Sequence, residues 1–325
     1  MNPTRRSTLE RLALLGLGAT AWPSQSSAQS WPVRPVRLVV PFPAGSGTDV
    51  AARVVGQHLS TTLGQSFVVD NKLGAGGSIG AMEVVRAAPD GYTLFFGSSS
   101  SLAANVALLK SMPYDPAKDL APIAGVADSV TALIVRANHP HQTLASFVAH
   151  VKQNPGKLNA SYGSSSTQMA LAMLLKVADL NVVGVPYKGT PLAVQDLLAG
   201  NVDFTFADLG TVLGHIKAGT LKGLAITTPK RSPMVDWPPI AETWPAYEDI
   251  TGWIALAGPA GLPRDIAEKL SAAVQQALQT QEVRTRLASF GLSSMPMSPD
   301  QLKAFIPAEV TKWTRLARLA NIQPE

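Results

Sequence analysis

Val36-Arg37-Leu38-Val39-Val40-Pro41-Phe42-Pro43-Ala44-Gly45-Ser46-Gly47-Thr48-Asp49 is the stretch that decides how this chain folds. Its first five residues form a short β-rich run. From Asp49 onward, Val50, Val54, Val55, His58 and Leu59 recur at near-helical spacing up to Gly64, so the stretch reads as strand, loop and helix. The unit then repeats. Phe67-Val68-Val69 leads through the Gly-rich residues 74–80 into a helix ending near Arg86, and Tyr92-Thr93-Leu94-Phe95-Phe96 leads into a helix over 102–109. Strands alternating with helices predict an α/β fold on a mixed, mostly parallel sheet.

A second series opens after the Pro-rich segment 112–122. Residues 132–135, 158–162, 182–186, 202–206 and 221–227 read as strands, and 143–152, 169–176, 191–199 and 211–217 as helices, with Gly200 and Gly219 standing where helices stop. Beyond Gly258-Pro259-Ala260-Gly261-Leu262-Pro263 the chain reads as helical over 264–280, 282–290 and 299–319. A chain of 325 residues that is 46% hydrophobic and 15% charged suits two lobes, each with its own interior.

The N-terminus carries Arg5-Arg6, an apolar stretch from Leu12 to Trp22 and a small-residue site at Ser26-Ser27-Ala28. That order reads as a secretory signal peptide over 1–28. Arg5-Arg6 followed by Leu9 fits a twin-arginine signal, with an ordinary Sec signal as the alternative. The apolar stretch is about half of the roughly 20 residues a membrane span needs. The reading is therefore a soluble, monomeric protein released to the periplasm by cleavage near Ala28.

Several chemistries find no residues here. With no cysteine, disulfides, thiolate metal sites and a cysteine nucleophile are excluded. The five histidines, at 58, 139, 141, 150 and 215, have no zinc spacing, so no metal is expected. Gly76-Gly77-Ser78-Ile79-Gly80 matches the letters of a nucleophile elbow but lies well past its strand, and the glycines of 74–80 miss dinucleotide-loop spacing; no cofactor is implied. The formal charge of +5 owes part of its value to Arg5, Arg6 and Arg11. The remaining cations are scattered, which excludes a nucleic-acid face.

Three loops join strands to helices, where backbone N–H groups lack intrahelical partners and favour an anion. In the first, Phe42, Ala44, Gly45, Ser46, Thr48 and Asp49 are candidate ligand residues, against the plainer reading of a helix entry capped by Thr48 or Asp49. Asp49 itself either complements the helix dipole or meets a cationic or hydroxyl group of a ligand. The second loop, Tyr162-Gly163-Ser164-Ser165-Ser166-Thr167-Gln168, adds hydroxyl arms suited to a second carboxylate; an N-terminal cap or a flexible linker is the alternative. The third, Val185-Pro186-Tyr187-Lys188-Gly189-Thr190-Pro191, carries Thr190 as a cap, Pro191 at the first helical position and Lys188 as a solvated charge.

Residues 31–45, 71–80 and 185–189, and then Asp196-Leu197-Leu198-Ala199-Gly200-Asn201-Val202-Asp203, Ile216-Lys217-Ala218-Gly219, Lys230-Arg231-Ser232-Pro233 and Ala257-Gly258-Pro259-Ala260-Gly261, resemble in order the Bug proteins, the solute receptors of tripartite tricarboxylate transporters. The resemblance implies a type II Venus-flytrap of two lobes, 31–129 plus 254–325 and 130–253, with the last helices returning to lobe 1. It implies a small carboxylate held by backbone amides, hydroxyls and water without a dominant arginine clamp, and transporter subunits in the membrane as partners. The family's pincer loops map onto 42–49 and 162–168, its acidic cleft position onto Asp208, and Ser98, Ser99 and Tyr187 join the candidate ligand residues. Two departures stand out. Ser46 replaces a usual second glycine, and the second pincer is shorter and lacks the family's His-Leu pair.

A transport receptor is thus the leading reading, with a periplasmic sensor or an exported serine hydrolase as alternatives. Replacing Arg5 and Arg6 with lysine is expected to leave uncleaved precursor in the cell, measured by fractionation; unimpaired export would assign the leader to the Sec route.

Overall fold

The structure, a computed structural model, describes residues 31–324; the expected leader lies outside them. Strand β1 (Val36–Val40), helix α1 (Gly47–Leu63), β2 (Phe67–Asn71), α2 (Ser78–Val85) and β3 (Thr93–Ser98) form the opening units. Successive side chains of β1 point to opposite faces, and both faces are buried. Val36, Leu38 and Val40 join one apolar cluster with Ala52 and Val55 of α1, while Val39 joins another with Ala81 and Val84 of α2. Such two-sided burial accounts for a strand that is apolar almost throughout.

A wide helical turn over 100–104 and α3 (Asn105–Leu108) lead to β4 (Leu120–Ser129), which passes at Val130 directly into β5 (Thr131–Arg136). Then follow α4 (Leu144–Gln153), β6 (Asn159–Tyr162), α5 (Ser165–Val177), β7 (Val183–Pro186), α6 (Thr190–Ala199), β8 (Phe204–Asp208), α7 (Leu209–Lys217) and β9 (Leu221–Ile226). The chain closes with α8 (Ile240–Thr243), β10 (Gly252–Pro259), α9 (Arg264–Gln279), α10 (Gln281–Ser289), β11 (Leu292–Met297) and α11 (Pro299–Leu319). One sheet has the order β11-β4-β10-β3-β1-β2 and the other β7-β6-β8-β5-β9. Among the described residues, no helix is long and apolar enough to cross a membrane.

Both sheets are mixed, but their parallel share is smaller than the strand–helix alternation predicts. β2-β1-β3 and β7-β6-β8 are parallel, and every pairing that involves β4, β5, β9, β10 or β11 is antiparallel. Three of those strands, β4, β10 and β11, have no counterpart in the sequence reading, and β11 interrupts what reads there as an all-helical tail. Their residues explain why. Pro122, Pro296 and runs of Ala and Gly are poor strand formers, and both pairings of β4 contain register shifts that accommodate them.

The return of α11 onto the first sheet is fixed by one buried acid. Glu309 Oε2 accepts from the Trp253 indole N–H of β10 at 2.7 Å and from the Trp313 indole N–H at 3.0 Å, with Lys312 Nζ at 3.3 Å from Oε1. Glu309→Ala would leave two buried N–H donors unsatisfied, at about 1–3 kcal/mol each. Denaturant unfolding is expected to show a loss of at least about 2 kcal/mol; a loss below about 0.5 kcal/mol, as at an ordinary surface site, would remove Glu309 from this role.

Candidate functional site

Four helices start at one place between the sheets. Their N-terminal caps are Ser46 for α1, Ser164 for α5, Gly189 for α6 and Asp208 for α7. At α1, Ser46 Oγ accepts from Asp49 N–H at 3.3 Å and the Ser46 carbonyl accepts from Val50 N–H at 3.0 Å. Gly47 and Thr48, the first two residues of α1, line the space between the sheets. At α5, Ser164 and Thr167 form a reciprocal capping box. The cap of α6 is Gly189, one residue before the expected Thr190, which leaves the Thr190 side chain free to reach the cavity.

The helix starts enclose a cavity of about 30 Å³, room for about two waters when one needs about 10–15 Å³. Nine hydroxyl side chains line it: Ser46, Thr48, Ser98, Ser99, Ser100, Ser129, Ser164, Ser166 and Thr190. Phe42, Gly47, Asp208, Gly252, Trp253 and Ile254 complete the wall. The cavity is narrow because the two sides touch. Ser166 Oγ lies 3.0 Å from both Ser99 Oγ and Ser100 Oγ, and Ser165 Oγ donates to Asn105 Oδ1 at 2.5 Å. These hydroxyl bonds latch the start of α5 onto the segment after β3.

Asp208 is the wall's single ionisable side chain. Its Oδ1 accepts from Thr131 Oγ1 at 3.3 Å, and a β-carbon added to Gly252 would lie 3.9 Å from the same oxygen. Burial raises its pKa above the usual carboxylate value, an effect that the hydrogen bond from Thr131 and the nearness of the Ser129 and Thr190 hydroxyls offset only in part. Ser98 Oγ and Ser129 Oγ are buried at the wall with no hydrogen-bond partner. Two polar groups so placed are costly unless something entering the cavity binds them.

Of the residues singled out in the sequence, Phe42, Ser46, Thr48, Ser98, Ser99, Ser164, Ser166 and Asp208 are brought together here. The others are not. Ala44 and Gly45 are exposed on the outer side of their loop. Asp49 lies outside the cavity wall and accepts from Gly45 N–H at 3.0 Å, Arg53 Nε at 3.0 Å and Asn71 Nδ2 at 2.9 Å. Ser165 is spent on Asn105, and Thr167 is wholly buried in the capping box. Gln168 lies a turn inside α5. The Tyr162 ring packs against the core, and the Tyr187 hydroxyl donates to Asp196 at 2.5 Å. Lys188 is exposed, as a solvated charge should be.

Sequence reading missed Gly47, Ser100, Ser129, Thr190, Gly252, Trp253 and Ile254. Ser100 and Thr190 stood inside loops already singled out. Ser129 and the 252–254 segment belong to β4 and β10, the strands with no sequence signal.

Known proteins bear directly on this geometry. The sequence pattern described as tripartite tricarboxylate transporter family receptor matches residues 51–322. Protein BugT of Bordetella pertussis is 35% identical over 326 aligned residues, covering 98% of each chain. Among solved structures, an R. palustris protein with adipate superposes with a TM-score of 0.88 at 32% identity, covering 91% of this chain and 100% of its own. MatC from Rhodopseudomonas palustris with bound malate gives 0.83 at 33% identity, covering 88% and 99%.

Asp49 now yields a stability prediction rather than a binding one. Burial pushes its carboxyl up, but Arg53, Asn71 and the Gly45 N–H together outweigh burial and hold it below its ordinary value. A depressed folded pKa stabilises the fold above the unfolded value, about 3.9, and that stability is lost as pH falls through the folded one. Asp49→Asn should therefore cost about 1.5 kcal/mol at neutral pH, the low end for a hydrogen bond to a charged group because Arg53 is half exposed. Denaturation curves should show the gap between variant and parent shrinking below about pH 4; a gap independent of pH would contradict this account.

Proposed function

We propose that this chain, which belongs to the tripartite tricarboxylate transporter receptor family, captures a small carboxylate in its cavity and delivers it to transporter subunits in the membrane. The ligand class is a di- or tricarboxylate or a related organic acid, bound in the periplasm by a monomer. Residues 31–129 with 254–325 act as one lobe and 130–253 as the other, moving about the adjacent crossings at Val130 and ahead of Gly252.

The observation that carries this reading is the convergence of four helix N-termini and nine hydroxyls on a cavity lined by no cation. Helix starts favour an anion through oriented N–H groups. A carboxylate fits, because its oxygens accept several such donors at once. The solved relatives with adipate and with malate support the same class.

Closure follows from where the donors sit. Ser46, Thr48, Ser98 and Ser99 belong to one lobe, and Ser164, Ser166 and Thr190 to the other. An anion that bonds both sets stabilises the closed form by its differential affinity for that form. It does so in competition with the Ser99–Ser166 and Ser100–Ser166 bonds, which a ligand has to replace. No histidine lines the cavity, and a serine hydroxyl without a base is a weak nucleophile. The ligand is released as it was bound.

A thermal-shift assay with adipate and malate tests this. Either acid at 100 times its dissociation constant should add about 2.7 kcal/mol of stability, and chromatography should recover it unaltered. The neutral diamide of adipate is expected to bind at least tenfold more weakly. Equal stabilisation by acid and diamide would sink the anion reading, and a new product in the chromatogram would sink the receptor reading.

A further inference from the structure

Asp208 faces the cavity without a cationic partner, and the elements packed around it supply none. On β5 the only cation is Arg136, at the far end, donating to the Leu197 and Val202 carbonyls. On α7, His215 and Lys217 lie in the last turn. On α6, Asp196 is taken by Tyr187. Asp128 of β4 turns to Ser293, Asp249 ahead of β10 is held by Lys312, and Asp49 of α1 is held by Arg53. What reaches Asp208 is the hydroxyl set of Thr131, Ser129 and Thr190.

An ionised Asp208 would therefore meet an incoming carboxylate as a like charge in a partly buried site. Two carboxyl groups in such a place share a proton, because the second cannot ionise beside the first. Helix dipoles supply partial positive charge, yet α7 directs its own N-terminus at Asp208 and the carboxyl still sits above its ordinary pKa.

We propose that Asp208 binds the ligand as the neutral acid, its O–H donating to a ligand carboxylate oxygen, so that each binding event takes up one proton from solvent. The proton adds to the Asp208 carboxylate before or during closure. One O–H···O hydrogen bond forms to the ligand, and no covalent bond of the ligand changes. On release and opening, the proton returns to water. The site is thereby selective for carboxylates that arrive without an ammonium group, since an ammonium group finds no counter-charge on a protonated Asp208. This inference rests on the reading of the ligand as a small carboxylate.

Calorimetric titration of the exported protein with adipate and with malate, in buffers of different ionisation enthalpy, reads the protons taken up per ligand. Between about pH 6 and 8 free carboxylic acids stay ionised, so any uptake belongs to the protein. The expected result is close to one proton per ligand above the Asp208 pKa of the free protein, with affinity falling tenfold per pH unit there. Asp208→Asn should abolish both effects. Asp128→Asn, a half-buried carboxyl outside the cavity wall, should keep them. No uptake by the wild type, or uptake that survives in Asp208→Asn, overturns the proposal. Tighter, proton-free binding of glutamate does so as well, because its ammonium group would then pair with an ionised Asp208.

If none of these acids binds, the carboxylate reading fails, and the protein without ligand still decides the state of Asp208. A carboxyl with a raised folded pKa holds more protons folded than unfolded between the two values, so stability falls as pH rises through that interval. Wild type should lose stability relative to Asp208→Asn from about pH 4 upward. Parallel profiles for the two proteins would show that Asp208 is ionised throughout and end the proposal.

Discussion

Every helix begins with N–H groups that its own carbonyls cannot reach, and here four helices spend theirs on one small volume. That constraint organises the rest of the molecule. The strands β1, β6 and β8 must end at the cavity for α1, α5 and α7 to begin there, so their loops are short and their turns tight. A β-carbon on Gly163 would lie 2.1 Å from Thr190 N. Only glycine lets the loop before α5 lie against the start of α6. On the opposite side, a β-carbon on Gly189 would fall 2.5 Å from Pro43 Cδ, so the first and third loops also meet without a side chain between them. Serine and threonine fill the remaining surface because a hydroxyl both caps a helix and leaves lone pairs or a proton for a guest.

The same constraint sets how the two sheets are joined. β4 runs into β5 across Val130, and Ser129 pairs with Gly252 at the start of β10. The two crossings lie side by side at the cavity, next to Asp208. Away from the crossings, the contact between the two halves of the fold is apolar. One core cluster includes Phe147 of α4, Phe204 of β8, Met169 and Met173 of α5, and Trp313 of α11. Glu309 ties α11 to Trp253, whose neighbours Gly252 and Ile254 share the cavity wall. The C-terminal helix thus acts on the site at one remove, through the strand it braces.

Much of this was legible in the sequence, and what was not has identifiable causes. The opening strand, loop and helix could be read because β1 is apolar on both faces and α1 repeats at 3.6 residues. Both pincer loops could be placed because helix starts are marked by Gly, Ser and Thr. Asp49 was read either as a charge that complements the helix dipole or as a contact to a cationic or hydroxyl group of a ligand. Arg53 stands at the i,i+4 position on the same helix, but nothing local announces that Asn71 would also hold it there. Asp208 entered through resemblance to a family, for a lone acid at the end of a strand carries no signal of its own. β4, β10 and β11 were illegible because Ala, Gly and Pro outnumber β-branched residues in them, and antiparallel pairing with each other supplies what propensity does not. The wall residues they carry, Ser129, Gly252, Trp253 and Ile254, were lost with them.

The absence of a cation from the wall is a physical choice with consequences for release. An arginine fork holds a carboxylate by two charge-assisted bonds at fixed geometry, and opening the lobes would then have to separate two full charges. Helix N-termini carry only about half a charge each, spread over several N–H groups, and divide their donors between the two lobes. An anion bonded to both sides of such a wall would, if the sides separated, keep only part of its donors, and water would replace the rest in small steps. Hydroxyls behave alike: each makes a neutral hydrogen bond that water can replace singly as the guest leaves. A site made of dipoles and hydroxyls therefore lowers the difference in free energy between holding and letting go, which suits a protein whose ligand has to be handed on.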